Sequence, residues 1–266
     1  MKRLIALFAV AALATAAAVS ARTAAPPTLT PGTLTVAFGD PAVGFAVGTV
    51  RGGTITNPRG YEVDLAKAIA AQLGISTIKW VYTPWTGLFA PGTKKFDFSL
   101  QEATITDQRK KTVSFSTSYF DANQGVLIKK GLTPPKSLAD LKKLQTCAQA
   151  VTTGLDWIKT VLHPDKAPLI YQTTAAAFTA VQIGRCDAIV LDVPIVASEK
   201  KARPTRYGPV AGQIVTHEQY GAVFQKGSAL VPSVDTAIKK LWTNGTIAKL
   251  QKKWFAIDFA KVPVLK

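Results

Sequence analysis

Short apolar runs alternate with amphipathic stretches along most of the chain. Leu34 to Phe38, Thr77 to Tyr82 and Phe96 to Leu100 read as strands. Between the first two, Tyr61, Leu65, Ile69 and Leu73 recur at helical spacing, so Tyr61 to Leu73 is predicted as an amphipathic helix ended by Gly74. A second set follows, with strands at Gln124 to Lys129, Thr146 to Val151, Leu169 to Gln172 and Asp187 to Leu191. Helices are expected at Leu155 to Leu162, Thr174 to Ile183 and Pro194 to Lys201. Beyond Gln219 a short strand, Ala222 to Gln225, precedes helices over Pro232 to Asn244 and Thr246 to Phe255, separated by Gly245. This alternation is that of an α/β protein built from βα units. Periodicity alone leaves two architectures open: one large doubly wound sheet, or two lobes with a cleft.

The first residues follow a different pattern. Met1, Lys2 and Arg3 give a basic start, Leu4 to Val19 is apolar apart from Thr15, and Val19-Ser20-Ala21 supplies small residues where a signal peptidase cuts. Residues 1–21 are therefore expected to be a cleaved secretory signal, and 22–31, with Pro26, Pro27 and Pro31, a linker. A retained N-terminal anchor is the alternative. Without a cysteine near the cleavage region a lipid anchor is not expected, and the mature protein should be free.

Charge changes the picture little. The formal net charge is +16, but the basic residues come as scattered pairs such as Lys94-Lys95, Lys142-Lys143 and Lys252-Lys253. No basic run interleaves with aromatics, so nucleic acid is not an expected partner. Cys147 and Cys186 are the only cysteines, and behind a secretory signal an even count suggests a disulfide. His163 and His217 stand far apart without nearby cysteines or paired carboxylates. No metal site is readable, and no cofactor is expected.

Several segments carry a family resemblance. Gly60-Tyr61-Glu62-Val63-Asp64-Leu65 opening the first helix, Trp85-Thr86-Gly87-Leu88-Phe89, and Thr104-Ile105-Thr106-Asp107-Gln108-Arg109 occur in that order. Val151-Thr152-Thr153-Gly154, Asp187 to Asp192 and Lys252-Lys253-Trp254-Phe255 follow. Together they resemble the family 3 bacterial solute-binding proteins, the polar amino-acid receptors of ABC importers. The resemblance implies a two-lobed periplasmic binding protein fold, each lobe a mixed sheet flanked by helices, with a ligand cleft between them. Lobe one would comprise 32–121 and 219–262, lobe two 122–218. It also implies a periplasmic, monomeric receptor that closes on a polar amino acid and delivers it to a membrane permease. The strands carrying Cys147 and Cys186 are neighbours in that family, which places the two thiols within bridging range.

A buried amino acid needs a partner for each of its charges. By resemblance, Arg109 holds the α-carboxylate through its fork of donors, with Ala103, Thr104, Thr152 and Thr153 beside it. Asp192, at the end of an apolar strand, accepts from the α-ammonium or caps the following helix. Trp85 forms an aromatic wall. Two departures stand out. Ala42 or Val43 occupies the place of the family's first aromatic, for which Phe38 or Phe45 are the candidate substitutes. Glu102 occupies a place that commonly holds a small residue. With Asp40 it makes the side-chain end of the cleft acidic, favouring a cationic ligand unless Lys94, Lys95 or Arg51 neutralises it. An enzyme of the same fold, a cyclohexadienyl dehydratase with Glu102 as general acid, is the alternative function.

Overall fold

A computed structural model describes residues 25–255 and 257–266, so the expected signal segment at 1–21 lies outside the described residues. β1 (Thr33–Phe38) is apolar and buried on both faces, as a central parallel strand must be. β2 (Val47–Arg51) and β3 (Thr54–Arg59) form a hairpin over Gly52 and Gly53, which both have positive φ. α1 (Tyr61–Gln72) follows Gly60, whose φ is 139° and at which a Cβ would come within 2.0 Å of the Phe45 carbonyl oxygen. Only glycine fits there, and that close approach sets where the first turn of α1 enters the core. β4 (Thr77–Tyr82), α2 (Trp85–Leu88), β5 (Phe98–Ser99) and α3 (Asp107–Lys110) complete the first α/β set.

β6 (Val113–Lys129) then leaves this set and enters the next. There lie α4 (Leu138–Lys142), β7 (Thr146–Gln149), α5 (Thr153–Trp157) with a π-helical turn at Ile158–Leu162, β8 (Leu169–Tyr171), α6 (Thr174–Gln182), β9 (Ala188–Asp192) and α7 (Val193–Ala202). β10 (Tyr207–Gln225) runs back, and α8 (Val231–Thr243) and α9 (Thr246–Trp254) pack on α1. The strands are ordered β2-β3-β4-β1-β5-β10-β6-β9-β7-β8. β1, β4 and β5 are parallel in one lobe, β7, β8 and β9 in the other, and the antiparallel pair β6 and β10 passes through both. Two lobes with a cleft is thus the architecture, and the single doubly wound sheet is not.

The crossing strands are far longer than the pattern predicts: 17 and 19 residues, where only Gln124 to Lys129 and Ala222 to Gln225 read as strand. The reason is local. Polar residues break the alternation there: Ser114, Ser116, Thr117, Ser118, Asp121 and Asn123 surround the buried Tyr119, Phe120 and Ala122, and Thr216 to Gln219 are polar throughout, so no period of two marks these segments, which are held by pairing with each other. At the crossing the register slips between Ile214 and Glu218. The Asn123 carboxamide oxygen accepts the Thr216 and His217 N–H groups, both at 3.1 Å, and secures that bulge. The β2–β3 hairpin is also absent from the pattern, because most of its side chains are exposed.

Cys147 on β7 and Cys186 before β9 form a disulfide, with Cα atoms 6.0 Å apart, as the strand adjacency implies. The chain then joins the lobes a third time. Gln213 N–H donates to the Pro263 carbonyl and Leu265 N–H to the Gln213 carbonyl, at 2.8 and 2.9 Å. Leu265 is buried against Val126, Ile128 and Ile214 of the second lobe.

Candidate functional site

Ends of strands and first turns of helices from both lobes converge on one cleft, with about 660 Å³ of space counted out to open solvent. Asp40, Trp85, Glu102, Thr104, Arg109, Thr152, Thr153 and Asp192 all line it. Ala103 does not: its side chain is packed among Ala37, Leu88 and Val223 in the first lobe.

Arg109 is placed by α3, a helix of four residues whose start is capped by the Thr106 hydroxyl accepting Arg109 N–H at 3.1 Å. Its guanidinium lies over the rings of Trp85 and Phe89, 5.1 and 4.2 Å from their centroids. Nη1 donates to the Thr104 carbonyl at 2.8 Å and Nη2 to the Val151 carbonyl, in the opposite lobe, at 3.0 Å. Burial lowers its pKa to about 10, opposed by Asp192 and Glu218, so it stays charged at neutral pH. Trp85 Nε1 donates to the Ala150 carbonyl, also across the cleft, at 3.2 Å.

Asp192 ends β9 and precedes α7, yet its side chain makes no cap bond. The carboxylate instead accepts Gln124 Nε2 and the Tyr220 hydroxyl, both at 2.5 Å. Of the two roles open to it, the helix cap is therefore unfilled and the cleft position is occupied. Burial, then repulsion from Glu218, pushes its pKa up to about 7, against the Tyr220 and Gln124 bonds and the charge of Arg109. Thr104 and Thr153, one from each lobe, donate their hydroxyls to the same Glu218 oxygen at 2.7 and 2.6 Å. Gln124 Nε2 donates to the other oxygen at 2.8 Å. Thr152 caps α5, accepting Leu155 N–H.

The lining that carries Asp40 and Glu102 is acidic, and by more than those two residues. Glu62, the second residue of α1, is fully buried yet reaches the lining. Its Oε1 accepts Glu102 N–H at 2.9 Å and the Tyr119 hydroxyl. Asp40 accepts the Tyr82 hydroxyl at 3.0 Å. None of the ion pairs of the described residues involves Asp40, Glu62, Glu102 or Asp192. Lys94 is not the neutraliser the sequence allowed, since its ammonium bonds the Ala90 and Gly87 carbonyls. Neither Phe38 nor Phe45 replaces the missing aromatic. Phe38 stacks on Trp80, and Phe45 is buried among Tyr61, Phe120, Tyr220 and Phe255, leaving Pro41 and Ala42 as the facing wall.

Glu62, Glu218 and Gln124 escape sequence reading. Glu62 sits inside a quoted motif, but as an early helical acid it reads as a solvated first-turn charge. Glu218 lies in the polar crossing segment, where no periodicity marks a face.

The sequence model of the bacterial extracellular solute-binding proteins, family 3, matches residues 50–257. The chain belongs to that family. This binding protein is 30% identical over 207 residues to the L-cystine-binding protein TcyJ of Escherichia coli (strain K12), covering 76% of each chain. Among solved structures it is similar to an ancestral arginine-binding protein bound to arginine, with 31% identity and a TM-score of 0.74, covering 85% of this chain and 99% of the other. It is also similar to the ancestral amino acid-binding protein AncCDT-1, a precursor of cyclohexadienyl dehydratase, with 35% identity and a TM-score of 0.73, covering 84% and 95%. These relatives are binding proteins, and the chain is a receptor rather than an enzyme. Its described residues contain no helix long and apolar enough to cross a membrane.

Proposed function

We propose that this receptor captures a cationic amino acid in the periplasm, after removal of residues 1–21, and delivers it as a monomer to the membrane permease of an ABC importer. The lobes that close on the ligand are 32–121 with 219–262, and 122–218. One observation carries the reading: among the described residues the cleft lining holds one cation, Arg109, against four carboxylates, Asp40, Glu62, Glu102 and Asp192, none of which forms an ion pair. Arg109 receives the α-carboxylate and Asp192, across the cleft, the α-ammonium. The surplus acids at the other end, the buried Glu62 and the partly buried Asp40 and Glu102, call for a second positive charge on the ligand, since carboxylates that a closing cleft takes out of water without a cation are costly. The arginine-bound relative supports the same class.

A thermal-shift screen of arginine, lysine, ornithine, glutamine and glutamate tests it, because a ligand of the folded state raises the midpoint by mass action. The expected result is a rise with a cationic member. A response to glutamine or glutamate with none to the cations would overturn the ligand class. In calorimetry, Arg109→Lys should weaken the responding ligand by more than roughly tenfold, as a bidentate pair becomes a point contact.

A further inference from the structure

Glu62 and Glu102 reach the same place by different routes. Glu62 comes from the first turn of α1, set by Gly60, and Glu102 from the loop between β5 and α3, at a φ of 48° that few side-chain-bearing residues adopt. The Glu102 N–H bond to Glu62 Oε1 at 2.9 Å ties the two together, and both residues line the same cleft, where each carboxyl raises the pKa of its neighbour or is bonded by it. Oε2 of Glu62 is buried and has no donor among the described residues. Two neighbouring carboxylates, one fully buried and the other partly so, do not both stay ionised: one proton between them relieves the repulsion and offers the orphan oxygen a partner.

We propose that Glu62 and Glu102 share one proton in the receptor before capture and that the distal cation of the ligand displaces it, so that uptake into the cleft exchanges a cation for a proton. This rests on the reading of the protein as a cationic amino-acid receptor. The surroundings of the pair fit the exchange. Tyr119 from β6 donates to Glu62, with Tyr61 of α1 behind it, and Asp192 from β9 and Tyr220 from β10 face Glu102. Every charged neighbour among these is an acid. Arg109, the only cation lining the cleft among the described residues, is held by the Thr104 and Val151 carbonyls instead. Burial raises both glutamate pKa values, that of Glu62 to about 7, so the pair keeps its proton near neutrality. When a guanidinium or ammonium seats beside it, the attraction favours the doubly ionised pair, and the proton leaves to solvent as the ion pair forms.

Calorimetry of the full chain with arginine, in two buffers of different ionisation heat at one neutral pH, counts the protons. The expected result is about one proton released by the pair per arginine bound, added to the fraction that Asp192 gives up to the α-ammonium, with affinity rising as pH rises below the pKa of the pair. Glu102→Gln should release about one proton fewer per arginine and show a correspondingly shallower pH slope. Arginine binding by the unaltered protein with heats independent of buffer would overturn the exchange while leaving the receptor reading intact. Infrared spectroscopy tests the pair independently of any ligand. A protonated carboxyl band at neutral pH that weakens in Glu102→Gln while the share from Asp192 remains supports it, and a band unchanged by that substitution overturns it even if no amino acid binds.

Discussion

Val151 holds a β-branched side chain at a φ of 63°, half exposed, while its carbonyl receives Arg109 from across the cleft. Such a conformation costs on the order of 1–3 kcal/mol, and it persists because the bond fixes the carbonyl there. Val151→Gly should therefore raise the ligand-free unfolding free energy by about 1 kcal/mol in chemical denaturation, the strain relieved outweighing the glycine's added unfolded-state entropy. At this scale the sequence was informative wherever a residue's role is fixed by a short motif. Arg109 follows from Thr104-Ile105-Thr106 because one capped turn places it. Glu62 and Glu218 are not legible, because their burial comes from segments 40 and 114 residues away, at Glu102 and Thr104.

The bridge between β7 and the start of β9 fastens two parallel strands that otherwise share a short register, Thr146 with Ala188 and Cys147 with Ile189. Closing a loop of 39 residues in the chain-entropy model stabilises by roughly 3–4 kcal/mol. Urea denaturation of a Cys147→Ala, Cys186→Ala double variant should show a loss of that order, with α5, the π-helical turn, β8 and α6, the elements inside the loop, exchanging amide hydrogens faster. Elements with a buried stripe were legible to within a few residues: α1, β4, α6, β9 and α8 all end close to where periodicity ends. The crossing strands were not, since pairing rather than burial makes them strands. The π-helical turn at Ile158–Leu162 follows α5 where an unbroken helix was read, and side-chain periodicity does not distinguish the two.

The fold places two strongly shifted carboxyl groups, Glu62 and Asp192, on the lining of the cleft, and that makes the whole molecule sensitive to pH. Glu62 and Asp192 are each pushed up to about 7 by burial, against about 4 in an unfolded chain. Between those values the folded chain binds more protons than the unfolded one, so stability falls as pH rises through the window. Thermal midpoints of the ligand-free protein are expected to decline from about pH 5 to pH 8, and less steeply in Glu102→Gln, where an amide replaces the repelling carboxyl. The two-lobed architecture itself was legible only through resemblance, because alternating strands and helices describe one sheet as well as two. The way Trp85 sits has a practical consequence. Of the five tryptophans, Trp80 stacks on Phe38, Trp157 ends α5, and Trp242 and Trp254 bond Ser118 and Asp64, whereas the Trp85 indole N–H reaches from one lobe to the Ala150 carbonyl of the other. Its emission is a built-in optical gauge of lobe separation. Unlabelled protein mixed with arginine in a stopped-flow fluorimeter should report the rate of closing, and Trp85→Phe should leave the other four indoles glowing but silent.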